Sequence, residues 1–282
     1  HDPQPLPLIN YYRKVQPWIW RCHIDLSNPN KELWEYLKGF VLKYDIEIVS
    51  HQKYKDDSPI AHKIIHPGID PLTSKNKELD PHTIKKTIYK FKIPMDKPLI
   101  TQVSRFDKWK DPVGVINIFK KIRKKTDCRL ILCGSMATDD PEGIKIYEQV
   151  KAGANDLIQK GDVILITSEN NILVNVLQNK SSIIIQKSLR EGFGLTVTEA
   201  LWKGKPVVAS NVGGIPLQII DGENGFLVDP KDVDGFAERI LELLKNPKMS
   251  DKLGKAAKEY VREKFLITRI LQDYVLLLNE IL

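Results

Sequence analysis

Two carboxylates, two glycines and two basic side chains carry the chemistry open to this 282-residue chain. The segment Ser188-Leu189-Arg190-Glu191-Gly192-Phe193-Gly194-Leu195-Thr196-Val197-Thr198-Glu199-Ala200 follows the apolar run Ser182 to Gln186 and passes into a helical pattern. Glycines at 192 and 194 let the backbone approach a ligand closely, and the N–H groups of a first helical turn face outward. Such a segment can cradle a diphosphate while Glu191 meets a polyhydroxylated ligand, since a carboxylate accepts hydrogen bonds from hydroxyls. Glu191 and Glu199 flank seven residues, a spacing that by itself also occurs on solvated helices. A second cluster, Ser104-Arg105-Phe106-Asp107-Lys108-Trp109-Lys110-Asp111, stands at the end of the apolar run Pro98 to Val103. Arg105 and Lys110 on that loop form a candidate phosphate clamp.

These loops must be held by alternating strands and helices. Pro98 to Val103, Cys128 to Cys133, Val163 to Ile166, Ser182 to Gln186, Pro206 to Ala209 and Gly225 to Val228 read as strands. Between them lie helical patterns: one opens at Asp111-Pro112 with Val115, Ile118, Phe119 and Ile122 on one face, and others open at Asp140-Pro141, Asn170 and Leu195. An N-cap followed by Pro is a helix start, and continuous apolar strands alternating with helices predict a parallel sheet covered on both faces. Towards the end, Val233 to Lys245 is helical with Phe236, Ile240, Leu243 and Leu244 inward, and Ser250 is expected to cap a helix from Asp251 to about Lys264. Phe265 to Leu282 is apolar enough to need a surface to dock on.

Before this lies a shorter β-α stretch. Trp18 to Cys22 reads as a strand with Trp18 and Trp20 in its core, Lys31 to Tyr44 as a helix, and Ile46 to Val49 and Ala61 to Ile65 as strands. Pro67-Gly68-Ile69-Asp70-Pro71 breaks the pattern as a linker, and the lysine-rich residues 73–97 read as an exposed connection with a helix inside it. Residues 67–264 thus make one doubly wound domain, while residues 1–66 supply too few strands for a second. The chain opens on His1-Asp2-Pro3-Gln4-Pro5 without a Met, a basic n-region or an apolar h-region, so it is expected to be a fragment or a processed product rather than to begin with a signal peptide.

Composition narrows the partners. Hydrophobic residues make up 42% and charged residues 28%, and no uninterrupted apolar run is long enough to span a membrane. The net charge of +7 is uneven: residues 67–130 hold 16 Lys+Arg against 7 Asp+Glu, while residues 131–282 hold 18 against 21. A local excess reads as a surface for a small anion, with most of its lysines simply solvated. Lys outnumbers Arg 34 to 9, which argues against base readout in a nucleic acid. The three cysteines, Cys22, Cys128 and Cys133, form no C-x-x-C pair; Cys22 and Cys133 read as buried hydrophobes, and a reducing, cytoplasmic setting is expected.

Together, Glu191-x7-Glu199 in its E-G-F-G-L…E-A setting, Gly204-Lys205-Pro206-Val207-Val208-Ala209-Ser210, Gly213-Gly214-Ile215-Pro216, Asp221-Gly222 and Gly225-Phe226-Leu227-Val228 resemble the signature of retaining glycosyltransferases of the GT-B fold, family 4. The resemblance covers residues 67–264. It implies an α/β fold of GT-B type, with a complete Rossmann-like C-terminal domain that binds the donor, a partial N-terminal domain (residues 1–66), and a C-terminal helix (265–282) crossing back to that domain. It also implies that Glu191 contacts the donor sugar, that Gly192, Phe193, Gly194, Leu195 and Thr196 contact sugar and phosphate, and that Glu199 binds the ribose hydroxyls. Arg105 and Lys110 match the basic pair that holds the diphosphate. Leu217 departs from the acid that often follows G-G-x-P. The opening H-D-P-Q-P resembles a loop of the trehalose glycosyltransferring synthases and the related trehalose phosphorylases, which places His1 near the donor sugar and Gln4 on the acceptor side.

The implied reaction is retaining transfer of glucose from a nucleotide-diphosphate glucose such as UDP-glucose or ADP-glucose to glucose, without an enzymic nucleophile. The leaving diphosphate would accept the acceptor's proton on the same face. No D-x-D element and no metal-ligand spacing is present, so no metal or other cofactor is expected. The alternatives are a trehalose phosphorylase using free phosphate and a nucleotide-binding fragment that turns over nothing. Expected partners are the nucleotide sugar and glucose or trehalose, with no nucleic acid and no membrane; homo-oligomerisation is left open.

Overall fold

A computed structural model describes residues 1–12, 15–135 and 141–281 of the chain. The helix start predicted at Asp140 lies outside the described residues; the helix itself is seen from Pro141. The elements are β1 (Ile19–Arg21), α1 (Lys31–Val41), β2 (Ile46–Val49), β3 (Ala61–Ile64), α2 (Pro81–Lys90), β4 (Leu99–Val103), α3 (Pro112–Arg123), β5 (Arg129–Cys133), α4 (Pro141–Gly153), α5 (Asn155–Gln159), β6 (Val163–Ile166), α6 (Asn171–Lys180), β7 (Ile183–Gln186), α7 (Leu195–Trp202), β8 (Val207–Ser210), β9 (Phe226–Val228), α8 (Val233–Lys245), α9 (Pro247–Lys264) and α10 (Ile267–Ile281). They form two compact units, His1–Gly68 with Ile267–Leu282, and Ile69–Leu266.

The larger unit is a six-stranded sheet in the order β6-β5-β4-β7-β8-β9, every pairing parallel. Side chains alternate across each strand, so Ile183 and Ile185 enter one apolar cluster while Ile184 enters another. The first cluster joins Val115, Phe119 and Ile122 of α3 to Phe236 and Ile240 of α8. The second joins Val197 and Leu201 of α7 to Ala257 and Val261 of α9. Both sheet faces are therefore covered, as the unbroken apolar strands require. The chain reverses direction of growth between β4 and β7, and ligands of such sheets bind beyond the carboxyl ends of the strands at that switch. The loops that follow β4 and β7 are the two that hold Arg105, Lys110 and Glu191.

Local signals explain most boundaries. Asp111, in the left-handed region at φ 38°, accepts from the Gly114 N–H at 2.9 Å and caps α3, with Pro112 at its first position. Asn170 caps α6 in the same way, accepting from Leu173 N at 2.8 Å. The expected cap at Ser250 is wrong. Asn246 accepts from Met249 N at 3.2 Å, Pro247 takes the first helical position, and Ser250 already lies inside α9, donating its hydroxyl to the Leu243 carbonyl at 2.9 Å. Proline marks a helix start here rather than a gap. Asn246→Ala is expected to lower the unfolding free energy by about 1 kcal/mol, read from the urea midpoint at constant slope.

The smaller unit is a parallel sheet in the order β1-β2-β3. Trp20 is buried in it and donates from its indole N–H to the Asp2 carbonyl at 2.9 Å, whereas Trp18 lies just outside β1, half-buried against Tyr44. Helix α10 starts at Ile267, later than the apolar pattern suggests, because Phe265 remains with the larger unit against Phe193 and Tyr260. Within the smaller unit α10 buries Leu277 against Ile46, Ile48 and Ile65, with Ile270 and Tyr274 alongside. Arg269 donates to the His66 carbonyl and pairs with Asp273, and Lys63 pairs with Glu280.

Candidate active site

The loop after β4 is folded by its own side chains. Asp107 accepts from the N–H groups of Trp109 and Lys110 at 2.9 and 3.0 Å, turning the chain so that Lys110 projects from it. The loop after β7 runs beside it: Leu189 N donates to the Trp109 carbonyl at 2.7 Å, and the Arg190 guanidinium lies 5.1 Å from the Trp109 ring centre. Gln102, near the end of β4, locks the two together, donating to the Lys110 carbonyl and accepting from Lys187 N, each at 2.9 Å. Buried Lys187 pairs with Asp111 at the start of α3.

This frame brings Lys110 and Glu191 into contact, 2.6 Å from ammonium to carboxylate. The same Glu191 oxygen accepts from the Ser188 hydroxyl at 3.1 Å, and Ser188 N is anchored on the Ser210 hydroxyl at 3.0 Å. Both members of the pair are largely buried, so their attraction is screened less than that of a surface pair. Arg105 is different. Its side chain is 64% exposed and touches Asp107 at 3.3 Å, so it is free to reorient onto a ligand.

Helix α7 begins directly beyond Glu191. Gly194 precedes it at φ 85°, a conformation that favours glycine, and no side chain caps the helix, so its opening N–H groups face outward for an anion. Gly214 supports the turn from below: its N–H donates to the Gly192 carbonyl at 3.0 Å, and an added Cβ would stand 2.7 Å from that oxygen. Gln218 continues the support, donating to the Phe193 carbonyl and accepting from Thr198. Leu217, where the resembled family often has an acid, packs in the second apolar cluster, and its carbonyl accepts from the Tyr260 hydroxyl at 3.2 Å.

Glu199 lies one helical stretch on, held by groups that no sequence pattern indicated. Lys75 reaches it at 2.9 Å, and Gln178 of α6 stands 3.5 Å from its other oxygen. Lys203 donates to the Gln178 side-chain carbonyl at 2.9 Å and to the Glu199 backbone carbonyl at 3.2 Å. Lys75 also lines a cavity of about 450 Å³ with Ser104, Arg105, Gly134, Glu169, Asn170 and Thr196 among its walls, a volume suited to a nucleoside.

Burial pushes the Lys203 ammonium down to about 8, against the pull of the Glu199 charge. An unfolded lysine titrates near 10.4, so between these values the unfolded chain binds more protons and stability rises with pH. Lys203→Met removes that contribution. Melting temperatures measured from pH 7.5 to 10 are expected to shift in favour of the wild type as pH rises; parallel curves would show that Lys203 titrates normally.

His1 and Gln4 belong to the smaller unit. Both are exposed, and His1 stacks on His23 with ring centres 5.1 Å apart and Nδ1 to Nε2 at 2.9 Å. His23 has no counterpart in the sequence reading, because nothing in its spacing from His1 marks the contact. The three cysteines are free and buried, which raises the thiol of Cys22 to about 12, of Cys128 to about 11 and of Cys133 to about 12.

Comparison with known proteins gives these groups a context. Residues 83–260 match the family described as glycosyl transferases group 1, and residues 1–56 match the trehalose synthase N-terminal domain. A trehalose synthase from Thermococcus litoralis is 47% identical over 285 residues, covering 99% of this chain and 68% of the relative. A trehalose phosphorylase from Pleurotus pulmonarius is 31% identical over 304 residues, covering 93% of this chain and 41% of the relative. Among solved structures, HepE of Anabaena in complex with UDP and glucose superposes with a TM-score of 0.80 at 19% identity, covering 94% of this chain and 72% of that one. That likeness shows the GT-B architecture.

Proposed function

The chain belongs to the group 1 glycosyl transferases, and to the trehalose synthases among them, and from that premise we propose that it moves glucose from a nucleotide-diphosphate glucose to free glucose, reversibly and with retention, forming trehalose. Membership makes it a trehalose-related hexosyltransferase. The observation that carries the finer reading is the Lys110–Glu191 contact beside the uncapped start of α7 at the sheet's switch point. A cation, an acceptor for sugar hydroxyls and a row of N–H groups meet there, the set that a sugar joined to a diphosphate requires.

In this reading Lys110 leaves Glu191 for the diphosphate when donor binds, and Glu191 accepts from the sugar hydroxyls. Arg105 swings in from solvent. The C1–O bond to phosphate breaks with its electron pair going to the phosphate oxygen. Charge growing on that oxygen is met by Arg105, Lys110 and the N–H groups of Gly194, Leu195 and Thr196, so these groups act more strongly in the transition state than before it. The acceptor hydroxyl bonds to C1 on the face the phosphate leaves and gives its proton to the phosphate. Gly192 and Phe193 shape the turn, and Glu199 holds the ribose hydroxyls. His1 and Gln4 are assigned to the donor and acceptor sugars on the strength of the family resemblance. The charge of the diphosphate is balanced by side chains and N–H groups, with no metal assigned to the step. Buried, unpaired thiols suit a cytoplasmic setting.

The test is product analysis. Trehalose incubated with UDP or ADP, and separately with orthophosphate, is expected to give nucleotide-glucose and glucose with the nucleotide alone. Glucose 1-phosphate from the orthophosphate reaction would replace this reading with a phosphorylase, and no turnover with either would leave a nucleotide-binding chain.

A further inference from the structure

The smaller unit contains a cluster that takes no part in the reaction above. Glu47 on β2 is paired in register with His62 on β3, so their side chains share one face of the sheet. The loop between the strands returns Asp56 to the same place, fixed by Ser58 N donating to its Oδ1 at 3.1 Å. His62 Nε2 lies 2.8 Å from Asp56 Oδ1 and 3.0 Å from Glu47 Oε2, and one atom from each side chain lies within 4.8 Å of the other two. The side chains are 0%, 8% and 11% exposed for Glu47, Asp56 and His62.

Hydrogen bonding leaves this cluster unsatisfied. Both Glu47 carboxylate oxygens and Asp56 Oδ2 are buried without a hydrogen-bond partner. His62 Nε2 is within hydrogen-bond distance of Asp56 Oδ1, and its short approach to Glu47 Oε2 leaves both Glu47 oxygens without a hydrogen bond. A fully buried carboxylate with no hydrogen-bond donor is strongly disfavoured unless a cation meets it. A cation that accepts one donor atom from each of the three side chains would satisfy the cluster.

We propose that Glu47, Asp56 and His62 bind a divalent transition-metal ion of the Zn²⁺ class. An imidazole nitrogen with two carboxylate oxygens is a donor set for such ions, whereas Mg²⁺ and Ca²⁺ favour six or more oxygens. With bonds near 2.1 Å, the ligand atoms of a tetrahedral zinc site stand about 3.4 Å apart, so the observed 2.8 and 3.0 Å separations need to open by about half an ångström. Binding gives each carboxylate a cation and ties β2, β3 and their connecting loop at one point. The spacings of nine and six residues match no metal motif, so the cluster leaves no mark along the chain.

Calorimetric titration of the EDTA-treated, dialysed protein with ZnCl₂ is expected to show one equivalent bound per chain and a rise in melting temperature, and CoCl₂ to give the visible absorption of tetrahedral Co²⁺. Glu47→Gln and Asp56→Asn are each expected to weaken ZnCl₂ binding at least 10-fold, while His23→Asn leaves it unchanged. Asp56→Asn, on the loop, serves where Glu47→Gln fails to fold. Absence of ZnCl₂ binding by the wild type would overturn the proposal. So would binding that survives the carboxylate changes and disappears in His23→Asn, which would put the ion on the His1–His23 pair.

Discussion

Lys110→Met is expected to lower kcat for glucosyl transfer by about 10²–10³-fold, the effect of removing one preorganised charge from a developing oxyanion. Lys110 is a largely buried cation whose backbone is held by the Asp107 turn and by the Gln102 contact to its carbonyl, so only its ammonium has to move, from Glu191 to the diphosphate, when the donor arrives. Methionine keeps most of the volume and removes the charge. The change also removes the Lys110 ammonium from Glu191, which keeps its contact to the Ser188 hydroxyl. Arg105→Met is expected to have the smaller effect, because a side chain 64% exposed must give up conformational freedom to engage. The comparison is made on kcat at saturating donor. A Lys110→Met enzyme that keeps wild-type kcat and raises only KM would mean that Lys110 binds ground state and transition state alike.

Glu199→Gln should move the other parameter. A carboxylate accepts from two ribose hydroxyls at once, while an amide offers one acceptor and one donor, so one hydroxyl loses its partner. Hydrogen bonds to charged groups contribute about 1.5–3 kcal/mol, which corresponds to about 10- to 150-fold weaker donor binding. Lys75 and Gln178 hold the side chain in place, so the substitution changes charge with little change in shape. Donor KM is expected to rise by that factor with kcat near the wild-type value. Equal loss in kcat would place Glu199 at the reacting centre, away from the ribose.

The contrast between these two glutamates shows which parts of the site can be read along the chain. Glu191, Gly192, Gly194 and Glu199 are legible because one strand-turn-helix passage carries them all, and the positive φ of Gly194 favours glycine at its turn into the helix. The six strands of the larger sheet are legible because each is a largely apolar run, and β4, β5, β7 and β8 are buried throughout. The groups that hold the glutamates are not. Lys110 reaches Glu191 across 81 positions, and Lys75 and Gln178 reach Glu199 from separate elements, so only the sheet order brings them together. Lys75 also sits in a lysine-rich segment where its neighbours are mostly solvated, and composition cannot single it out. The misplaced cap of α9 has a local cause: Ser250 and Asn246 both suit an N-cap, and only the proline at 247 tells them apart.

His1 marks another limit of the same kind. Its motif was legible, yet its stacking partner His23 comes from beyond β1, and a contact between two turns leaves no periodic trace. The cluster of Glu47, Asp56 and His62 is legible only through the strand register that pairs Glu47 with His62 and the loop that returns Asp56 to them.

In the proposed function the larger unit holds a nucleoside diphosphate through Lys110, the opening of α7 and Glu199. Calorimetric titration of the wild type, Lys110→Met and Glu199→Gln with UDP and with ADP tests it most directly. One nucleotide should bind per wild-type chain, at least 10-fold more weakly to either variant. A folded wild-type chain that binds neither nucleotide, or variants that bind as tightly as the wild type, would contradict it.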